Sequence, residues 1–375
     1  MIFWQCIFWF SLLLIFHSYV LFPGILYLLS RNKNPNQDFY SEDELPSVSI
    51  LIAAYNEEAV IGQKIESVLN TGYPKDKLSI YIGSDNSSDN TNTILEEFEK
   101  KYPLIHCIYF KERTGKPGII NHLVNLTGDD ILIMTDANIM FVEDTIYKLV
   151  RHFKNPAVGI VGGNTLNDEV SKDGVSIQEK IFTSREIKIK YREGLIWNAT
   201  IGVYGGIYAI RKEVYTPVPK GFAVDDFFIS MCVLRQKRSV IMDVDAITFE
   251  DLPNLISEEY RRKVRIATGN FRNMRYFLPE LLTPWKGSSF AYISHKIIRW
   301  LGPFLIILFM LSNIFLWNSH EFYHFTGYAL LAGFTLPIID FFLSKLGIHV
   351  VFLRFVRHFI TMNIAMLHGF MNYIG

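Results

Sequence analysis

Apolar residues dominate the two ends of the chain. Residues 1–30 contain no Asp, Glu, Lys or Arg, and this run exceeds the roughly 20 apolar residues that cross a bilayer as a helix. The alternative, a cleaved signal peptide, would have basic residues before a shorter apolar stretch and a small-residue cleavage site, and neither is present. We therefore predict an N-terminal transmembrane helix over residues 1–30.

The second apolar zone fills the C-terminal part of the chain. Residues 300–320 and 322–339 each lack charged side chains, which predicts two further spanning helices. Residues 350–375 are apolar except for two arginines and some histidines, so this segment could span the membrane, re-enter it or lie in the interface. We expect a membrane domain over residues 287–375, with an interfacial helix and two to three transmembrane or re-entrant helices.

Between these zones, short β-rich runs alternate with segments whose apolar residues recur at helical spacing. The predicted strands are Val48–Ala53, Leu78–Gly83, His106–Phe110, Asp130–Thr135 and Val158–Gly163. The predicted helices are Glu57–Asn70, Asp89–Lys101, Pro117–Leu126, Glu143–Phe153 and Phe227–Arg235. This alternation indicates an α/β domain with a mainly parallel sheet, which we place over residues 31–286.

Basic residues stand where each apolar zone meets the middle segment. They are Arg31 and Lys33 after the first zone, and Lys286, Lys296 and Arg299 at the start of the second. The loop 318–324 carries no Lys or Arg. By the positive-inside rule the middle domain faces the cytoplasm. We therefore expect an integral protein of the cell inner or plasma membrane with a cytoplasmic domain.

Charge and cysteine content narrow the classes of function. Across 375 residues, 37 Lys and Arg balance 37 Asp and Glu, so the chain lacks the basic excess of a nucleic-acid binder. The three cysteines, Cys6, Cys107 and Cys232, lie far apart and form neither a disulfide framework nor a zinc pattern. These counts favour a membrane protein with a large soluble part.

Polar side chains follow three of the predicted strands. Tyr55-Asn56-Glu57 follows the first strand, Ser84-Asp85-Asn86-Ser87 the second and Asp136-Ala137-Asn138 the fourth. Because ligands of parallel sheets bind at the carboxyl ends of the strands, we expect these residues to line one crevice. No Gly-rich phosphate loop is present, so a bound nucleotide would need a divalent metal. Asp136 offers a hard oxygen for Mg²⁺ or Mn²⁺.

Six short motifs follow one another between Pro46 and Arg275. They are Val48–Glu58, the D-x-S-x-D-x-T element in Ser84–Thr91, Thr114–Pro117 with Asn121, the DxD variant Asp136–Asn138, the acidic Val224–Asp226 and the Arg262–Arg265 run. In order and spacing they resemble membrane-bound family 2 glycosyltransferases of the poly-N-acetylglucosamine, hyaluronan and cellulose synthase kind. The flanking apolar zones match the topology of those enzymes.

The resemblance implies a GT-A fold, the Rossmann-like mixed sheet of nucleotide-diphospho-sugar transferases. Such a domain binds a nucleotide sugar, usually a UDP-sugar, and inverts the anomeric centre. Ala54, Tyr55 and Glu57 would hold the base and ribose. Asp85 would accept a hydrogen bond from the base, and Lys116 would approach the nucleotide or its phosphates.

The same resemblance implies the reacting end of the site. Asp136 would hold Mg²⁺ or Mn²⁺ against the diphosphate, with Asn138 in the metal sphere although an amide oxygen is a weaker ligand than carboxylate. Asp226 would accept the proton of the attacking hydroxyl, as a general base. Arg262 and Arg265 would bind the diphosphate through charge-assisted hydrogen bonds.

Structural alternatives exist for several of these residues. Asp85 could form an Asx turn after a strand, and the pair Asp225 and Asp226 could be an N-cap and first-turn acid of a helix. The Arg262–Arg265 run could face solvent or lipid headgroups. In that run the Gln and Trp of QxxRW are replaced by Arg262 and Ile266, which weakens the prediction of processive synthesis.

The sequence therefore predicts an inverting, metal-dependent glycosyltransferase of cell-surface glycan synthesis. Its partners would be a nucleotide-sugar donor, a saccharide or lipid-linked acceptor, membrane lipids and envelope-assembly subunits, with no nucleic acid. Either processive synthesis or single addition fits. The alternative from another class is a non-catalytic GT-A-fold subunit that docks in an envelope glycan assembly.

Overall fold

The computed structural model of the chain describes residues 1–35, 37–167, 176–250, 256–348 and 350–375. The chain divides into two compact units. The sheet unit comprises Leu29–Glu169 and Arg185–Leu252, and the helical unit comprises Met1–Leu28, Val170–Ser184 and Pro253–Gly375. The domain boundaries expected at residues 30 and 286 stay predictions.

Eight strands form one sheet within the described residues. They are β1 Val48–Ala54, β2 Leu78–Ser84, β3 Ile105–Tyr109, β4 Ile131–Asp136, β5 Ile139–Phe141, β6 Val158–Asn167, β7 Ile207–Arg211 and β8 Ser239–Glu250. The sheet order is β3-β2-β1-β4-β7-β6-β8-β5. The first four of these strands are parallel, whereas β7 is antiparallel to both neighbours and β5 is antiparallel to β8. The predicted α/β sheet is confirmed, and it is mixed.

Fourteen α-helices are present in the described ranges. They are α1 Ile2–Phe16, α2 Phe22–Ser30, α3 Ile61–Leu69, α4 Thr91–Lys101, α5 Lys116–Leu126, α6 Thr145–Val150, α7 Ser176–Trp197, α8 Asp225–Arg235, α9 Ile256–Tyr276, α10 Gly287–Ala291, α11 Ile298–Trp300, α12 Gly302–Leu316, α13 Glu321–Lys345 and α14 Val351–Ile374.

The central strands form because their side chains are apolar on both faces. In β1 all residues from Val48 to Ile52 are buried, and in β4 the run from Ile131 to Thr135 is buried as well. Near-continuous apolar runs of this kind are typical of parallel strands covered by helices on both sides. In α3, Ile61, Ile65 and Val68 are fully buried at the spacing of one helix face, so this helix covers the sheet.

The predicted helix bounds differ from the observed ones at their starts. The first helix was expected from Glu57 but begins at Ile61. The backbone N–H groups of Asn56, Glu57 and Glu58 instead donate to side chains of the segment after β2, at Ser87 Oγ (3.2 Å), Thr91 Oγ1 (2.9 Å) and Asp89 Oδ2 (3.1 Å). These tertiary hydrogen bonds replace the first helical turn, and they fix both segments at the carboxyl end of the sheet.

The helical unit contains three helices that are long and apolar enough to cross a membrane, among the described residues: Ile2–Ser30, Gly302–Ser319 and Glu321–Lys345. The spanning helices predicted over residues 1–30, 300–320 and 322–339 fall on these segments. Phe8, Leu316 and Tyr323 form a buried cluster between them. Helix α14 is not one of these three helices; it packs on α9, where the Thr268 hydroxyl donates to the Gly369 carbonyl at 3.1 Å.

Candidate active site

The carboxyl ends of β1, β2 and β4 lie side by side. Ala54 is in register with Ser84, and Ala53 is in register with Asp136. The polar residues predicted to line a crevice therefore follow neighbouring strands. Asp136 is fixed further because its backbone N–H donates to the Gly206 carbonyl at 3.2 Å.

A lysine, a glycine and two carboxylates converge beyond these strand ends. Lys116, the first residue of α5, donates from Nζ to Asp136 Oδ1 at 2.5 Å and lies 3.5 Å from the Gly205 carbonyl oxygen. A Cβ atom placed on Gly205 would lie 3.0 Å from Asp226 Oδ2. Asp226 stands in the first turn of α8. Elements distant in sequence thus bring Lys116, Asp136, Gly205 and Asp226 together.

Burial and neighbouring charges shift the pKa values of Asp226 and Lys116. Burial, with the neighbouring Asp225 charge, raises the pKa of Asp226 to about 6, although Lys190 and Lys116 oppose this rise. Burial lowers the pKa of Lys116, but the charges of Asp136 and Asp225 outweigh it, so that this pKa is raised overall. Lys116 therefore stays cationic, while Asp226 can exchange a proton near neutral pH.

Asp85 anchors the loop that leads into α5. Its side chain is buried, Oδ1 accepts the Thr114 N–H at 2.6 Å and Oδ2 accepts the Gly115 N–H at 3.0 Å. Arg113 Nε lies 3.2 Å from Oδ2. Gly115 has φ +81°, a conformation that side chains disfavour. Asp85 therefore holds the turn that presents Lys116, and its recognition of a base stays a prediction.

Tyr55 and Glu57 lie just beyond the carboxyl end of β1. The Arg113 guanidinium lies 3.1 Å from the centroid of the exposed Tyr55 ring, a cation–π contact. Burial, followed by the Asp136 and Asp89 charges, raises the pKa of Glu57. The Ala54 carbonyl is used inside the fold, where it accepts the Asp85 N–H at 2.8 Å. Roles for Ala54, Tyr55 and Glu57 in holding base and ribose stay predictions.

Lys64 is a buried residue beside the site that the motifs did not reveal. Its Nζ donates to Thr135 Oγ1 at 3.0 Å and to the Ile139 carbonyl, and it lies 3.6 Å from the Phe141 ring centroid. Burial holds its pKa well below the usual range, partly offset by the Asp136 charge. The available signal was a lysine among the apolar positions of α3. Lys64 braces the β4–β5 connection that carries Asp136 and Asn138.

The residues present fit a divalent cation held jointly with a ligand. The Asp136 side chain is 39% exposed and accepts the Lys116 ammonium at Oδ1, so a divalent cation would share this carboxylate with Lys116. The described residues contain no group of three His, Cys, Asp or Glu side chains that could hold a metal. Mg²⁺ and Mn²⁺ need only one or two carboxylates when substrate phosphates complete the shell.

The family of the domain follows from comparison with known proteins. Residues 49–216 match the model of Glycosyl transferase family 2, and they contain β1 from its second residue, β2 to β7, and Asp85, Lys116 and Asp136. The chain contains a family 2 glycosyltransferase domain. The predicted family is thereby confirmed.

Two curated relatives illustrate the similarity of the family 2 domain. The chain is 28% identical over 275 residues to the probable glycosyltransferase YdaM of Bacillus subtilis, covering 69% of this chain and 63% of YdaM. It is 36% identical over 122 residues to the beta-monoglucosyldiacylglycerol synthase of Trichormus variabilis, covering 32% of this chain and 26% of that protein. The chain thus spans less than two thirds of these relatives.

A solved structure shares the fold over nearly the whole chain. The mannosyltransferase PcManGT of Pyrobaculum calidifontis, determined with GDP-Man and Mn²⁺, superposes with a TM-score of 0.72 at 18% identity, covering 97% of each chain. The predicted GT-A fold is confirmed by this match.

Other predicted site residues have different surroundings. In the family 2 domain, Asn121 accepts the Tyr215 hydroxyl at 2.7 Å and the Val218 N–H at 2.9 Å, and it donates to the Val218 carbonyl, so it orders the segment after β7. Arg262 and Arg265 lie on α9 in the helical unit, where Arg262 is 3.8 Å from Glu259. Their contact with a diphosphate stays a prediction.

Gly205→Ala should lower the rate of sugar transfer without unfolding the family 2 domain. The new methyl group would sit 3.0 Å from Asp226 Oδ2 and 3.1 Å from its Cγ, so the carboxylate must shift. The rate of sugar transfer should therefore fall by about tenfold or more. Steady-state rates and thermal unfolding curves of both proteins test this. Gly128→Ala is the control, since a Cβ there meets nothing within 4 Å. Equal rates for Gly205→Ala and wild type would contradict the predicted proximity.

Proposed function

We propose that the chain transfers a sugar from a nucleotide-diphosphate sugar, most simply a UDP-sugar, to a saccharide or lipid-linked acceptor, with inversion. The observation that carries this proposal is the convergence of Lys116, Asp136 and Asp226 around Gly205. The Lys116 ammonium beside Asp136, a carboxylate that could bind a divalent cation, suits a diphosphate leaving group. A carboxylate of raised pKa on the other side suits an acceptor hydroxyl.

Asp226 acts as the general base in this proposal. The acceptor oxygen attacks the anomeric carbon, its proton passes to an Asp226 carboxylate oxygen, and the bond between the anomeric carbon and the diphosphate oxygen breaks. Attack opposite the leaving group inverts the configuration. The pKa of about 6 for Asp226 leaves it ionised at neutral pH yet more basic than an ordinary aspartate, which suits a general base.

Lys116 and Asp136 serve the leaving group. Lys116 carries a fixed positive charge that stabilises the diphosphate as the bond breaks. Mg²⁺ or Mn²⁺ at Asp136 and Asn138 would supply a Lewis acid for the same charge. Asp85 keeps the Thr114–Gly115 turn in place and thereby positions Lys116, while Tyr55 and Glu57 are proposed to hold base and ribose. Arg262 and Arg265 are proposed as further diphosphate donors.

The helical unit supports a membrane setting. Three described helices are long and apolar enough to span, and basic residues between the first and second of them favour a cytoplasmic catalytic domain in the inner or plasma membrane. The name of the diacylglycerol synthase relative supports a lipid acceptor, while the motif resemblance supports a growing saccharide.

Donor turnover tests the proposal. Full-length protein in detergent is incubated with a panel of UDP- and GDP-sugars, with Mn²⁺, Mg²⁺ or EDTA, with and without total lipid extract, and nucleotide release is measured. We expect divalent-dependent release from one or two donors. Nucleotide binding without release from any donor, with or without lipids, would contradict the proposal and favour a non-catalytic docking subunit.

The pH dependence of kcat/KM should report Asp226. Because the base must be ionised, the rate should rise with pH through about 6 and then level off. Asp225→Asn removes a charge that raises this pKa, so the inflection should move to lower pH. A profile that is already flat at pH 5, or an inflection unmoved by Asp225→Asn, would contradict the assignment.

A further inference from the structure

Asn138 makes a specific contact with a carboxylate that no motif marks. Its Nδ2 donates to Glu250 Oε1 at 3.3 Å, across 112 residues of sequence. The Tyr204 hydroxyl donates to the other carboxylate oxygen, Oε2. Glu250 is the last residue of β8, its register partner is Ile139 of β5, and it is only 7% exposed. The pairing of these strands therefore places a buried carboxylate beside the DxD variant.

The chemistry of the two groups fixes the orientation of Asn138. An ionised carboxylate only accepts hydrogen bonds, so the Asn138 nitrogen must face Glu250. The amide oxygen of Asn138 then points away from Glu250 and is available to a cation. An amide held in this way presents one defined oxygen, whereas an untethered asparagine would present oxygen or nitrogen.

The same contact explains the asparagine in place of a second aspartate. An aspartate at position 138 would face Glu250 with two carboxylates about 3.3 Å apart, and like charges at this distance repel strongly away from water. With Asn138, the pair carries one negative charge and one complementary hydrogen bond. Asn138 and Glu250 together therefore provide the single negative charge that an aspartate at position 138 would carry alone.

We propose that Glu250 is a positioning residue of the divalent-cation site: it orients the Asn138 amide and supplies the carboxylate charge that position 138 lacks. This inference rests on the proposed metal-dependent transfer. Glu250 acts through Asn138 and through its charge. Outer partners of metal ligands typically contribute 10–100-fold to metal affinity, so a measurable effect on cation binding is expected.

Exchanging the amide of Asn138 and the carboxylate of Glu250 between the two positions tests the inference. Mn²⁺ affinity of the full-length protein in detergent is measured by electron paramagnetic resonance of free Mn²⁺, alone and with UDP. Glu250→Gln should weaken Mn²⁺ binding by about tenfold or more. The double variant Asn138→Asp/Glu250→Gln again pairs one carboxylate with one amide, and the amide at position 250 now donates to the carboxylate at position 138. Its Mn²⁺ affinity should return to within about threefold of wild type.

Tyr204→Phe is the matched control. It removes the hydrogen bond from the Tyr204 hydroxyl to the same carboxylate but keeps the charge and the Asn138 contact, so Mn²⁺ affinity should stay within about threefold of wild type. Thermal unfolding of each variant is followed in parallel. If Glu250→Gln alone fails to fold, the double variant decides, because rescue of both folding and affinity still requires complementarity of the pair.

The outcomes separate this inference from the proposed function. The inference would be overturned if Glu250→Gln bound Mn²⁺ as tightly as wild type. It would also be overturned if the double variant bound Mn²⁺ as weakly as Glu250→Gln. If Asp136→Asn nevertheless loses Mn²⁺ binding, the metal-dependent function stands without Glu250. If the wild-type protein binds no Mn²⁺ with or without UDP, the metal part of the proposed function and the inference both fail.

Discussion

Asp226→Asn is expected to lower the rate of sugar transfer by about 10²–10⁴-fold, the range that a positioned general base contributes. The amide has nearly the shape of the carboxylate but cannot take the proton of the acceptor hydroxyl. The Asp226 carboxylate lies beside Gly205, on the side of the site proposed for the acceptor, so nucleotide affinity should stay close to that of wild type. Initial rates of nucleotide release and equilibrium binding of UDP measure the two quantities separately.

Asp225→Asn is the matched control for this prediction. Asp225 precedes Asp226 in the first turn of α8 and is buried, at 7% exposure. It influences Asp226 through its charge, which raises the pKa of that group. Its replacement should therefore reduce the rate much less at neutral pH. If Asp225→Asn abolished transfer while Asp226→Asn retained it, the roles of the two carboxylates would have to be exchanged.

Asp136→Asn should produce the second large loss, about 10²–10³-fold in the rate of transfer, as removal of one preorganised electrostatic group typically does. The carboxylate receives the Lys116 ammonium at 2.5 Å and offers the hard oxygen for a divalent cation. Its loss should also reduce the stimulation of the rate by added Mn²⁺ or Mg²⁺. Rates measured across a metal titration test both effects.

Asp129→Asn controls for charge removal near the same strand. Asp129 lies just before the amino end of β4, whereas Asp136 ends the strand, and it accepts the Ser49 hydroxyl at 2.6 Å. An asparagine oxygen can still accept this hydrogen bond, so the rate and its metal dependence should be unchanged. A similar loss in both variants would indicate a general effect on the strand and contradict a specific role for Asp136.

Much of the sheet was predictable from local patterns. Val48–Ala54 and Ile131–Asp136 are short apolar runs that end at polar residues, and such runs mark buried parallel strands. The strands β5, β7 and β8 were not predicted. Ile139–Phe141 has only three residues, which is too short to show an alternating pattern. Ser239–Glu250 pairs with β6 through register shifts, and its partners β6 and β5 are distant in sequence, so a local pattern does not reveal this pairing.

The sequence by itself determined the types and order of the site residues. Asp85, Lys116, Asp136 and Asp226 stand within short motifs beside strand ends or a helix start, and their chemistry is readable because such motifs are local. The family 2 match over residues 49–216 confirms the family, whereas the residue roles stay predictions.

Only the tertiary structure decided which groups meet. Glu250 reaches Asn138 because β8 pairs with β5, and Gly205 reaches Asp226 because the segment before β7 lies against the start of α8. Arg113 meets Tyr55 and Asp85, and Lys64 braces the β4–β5 connection. Each contact joins residues far apart in sequence, so it depends on strand order and register. Those are properties of the whole packed sheet, and no short stretch of sequence carries them.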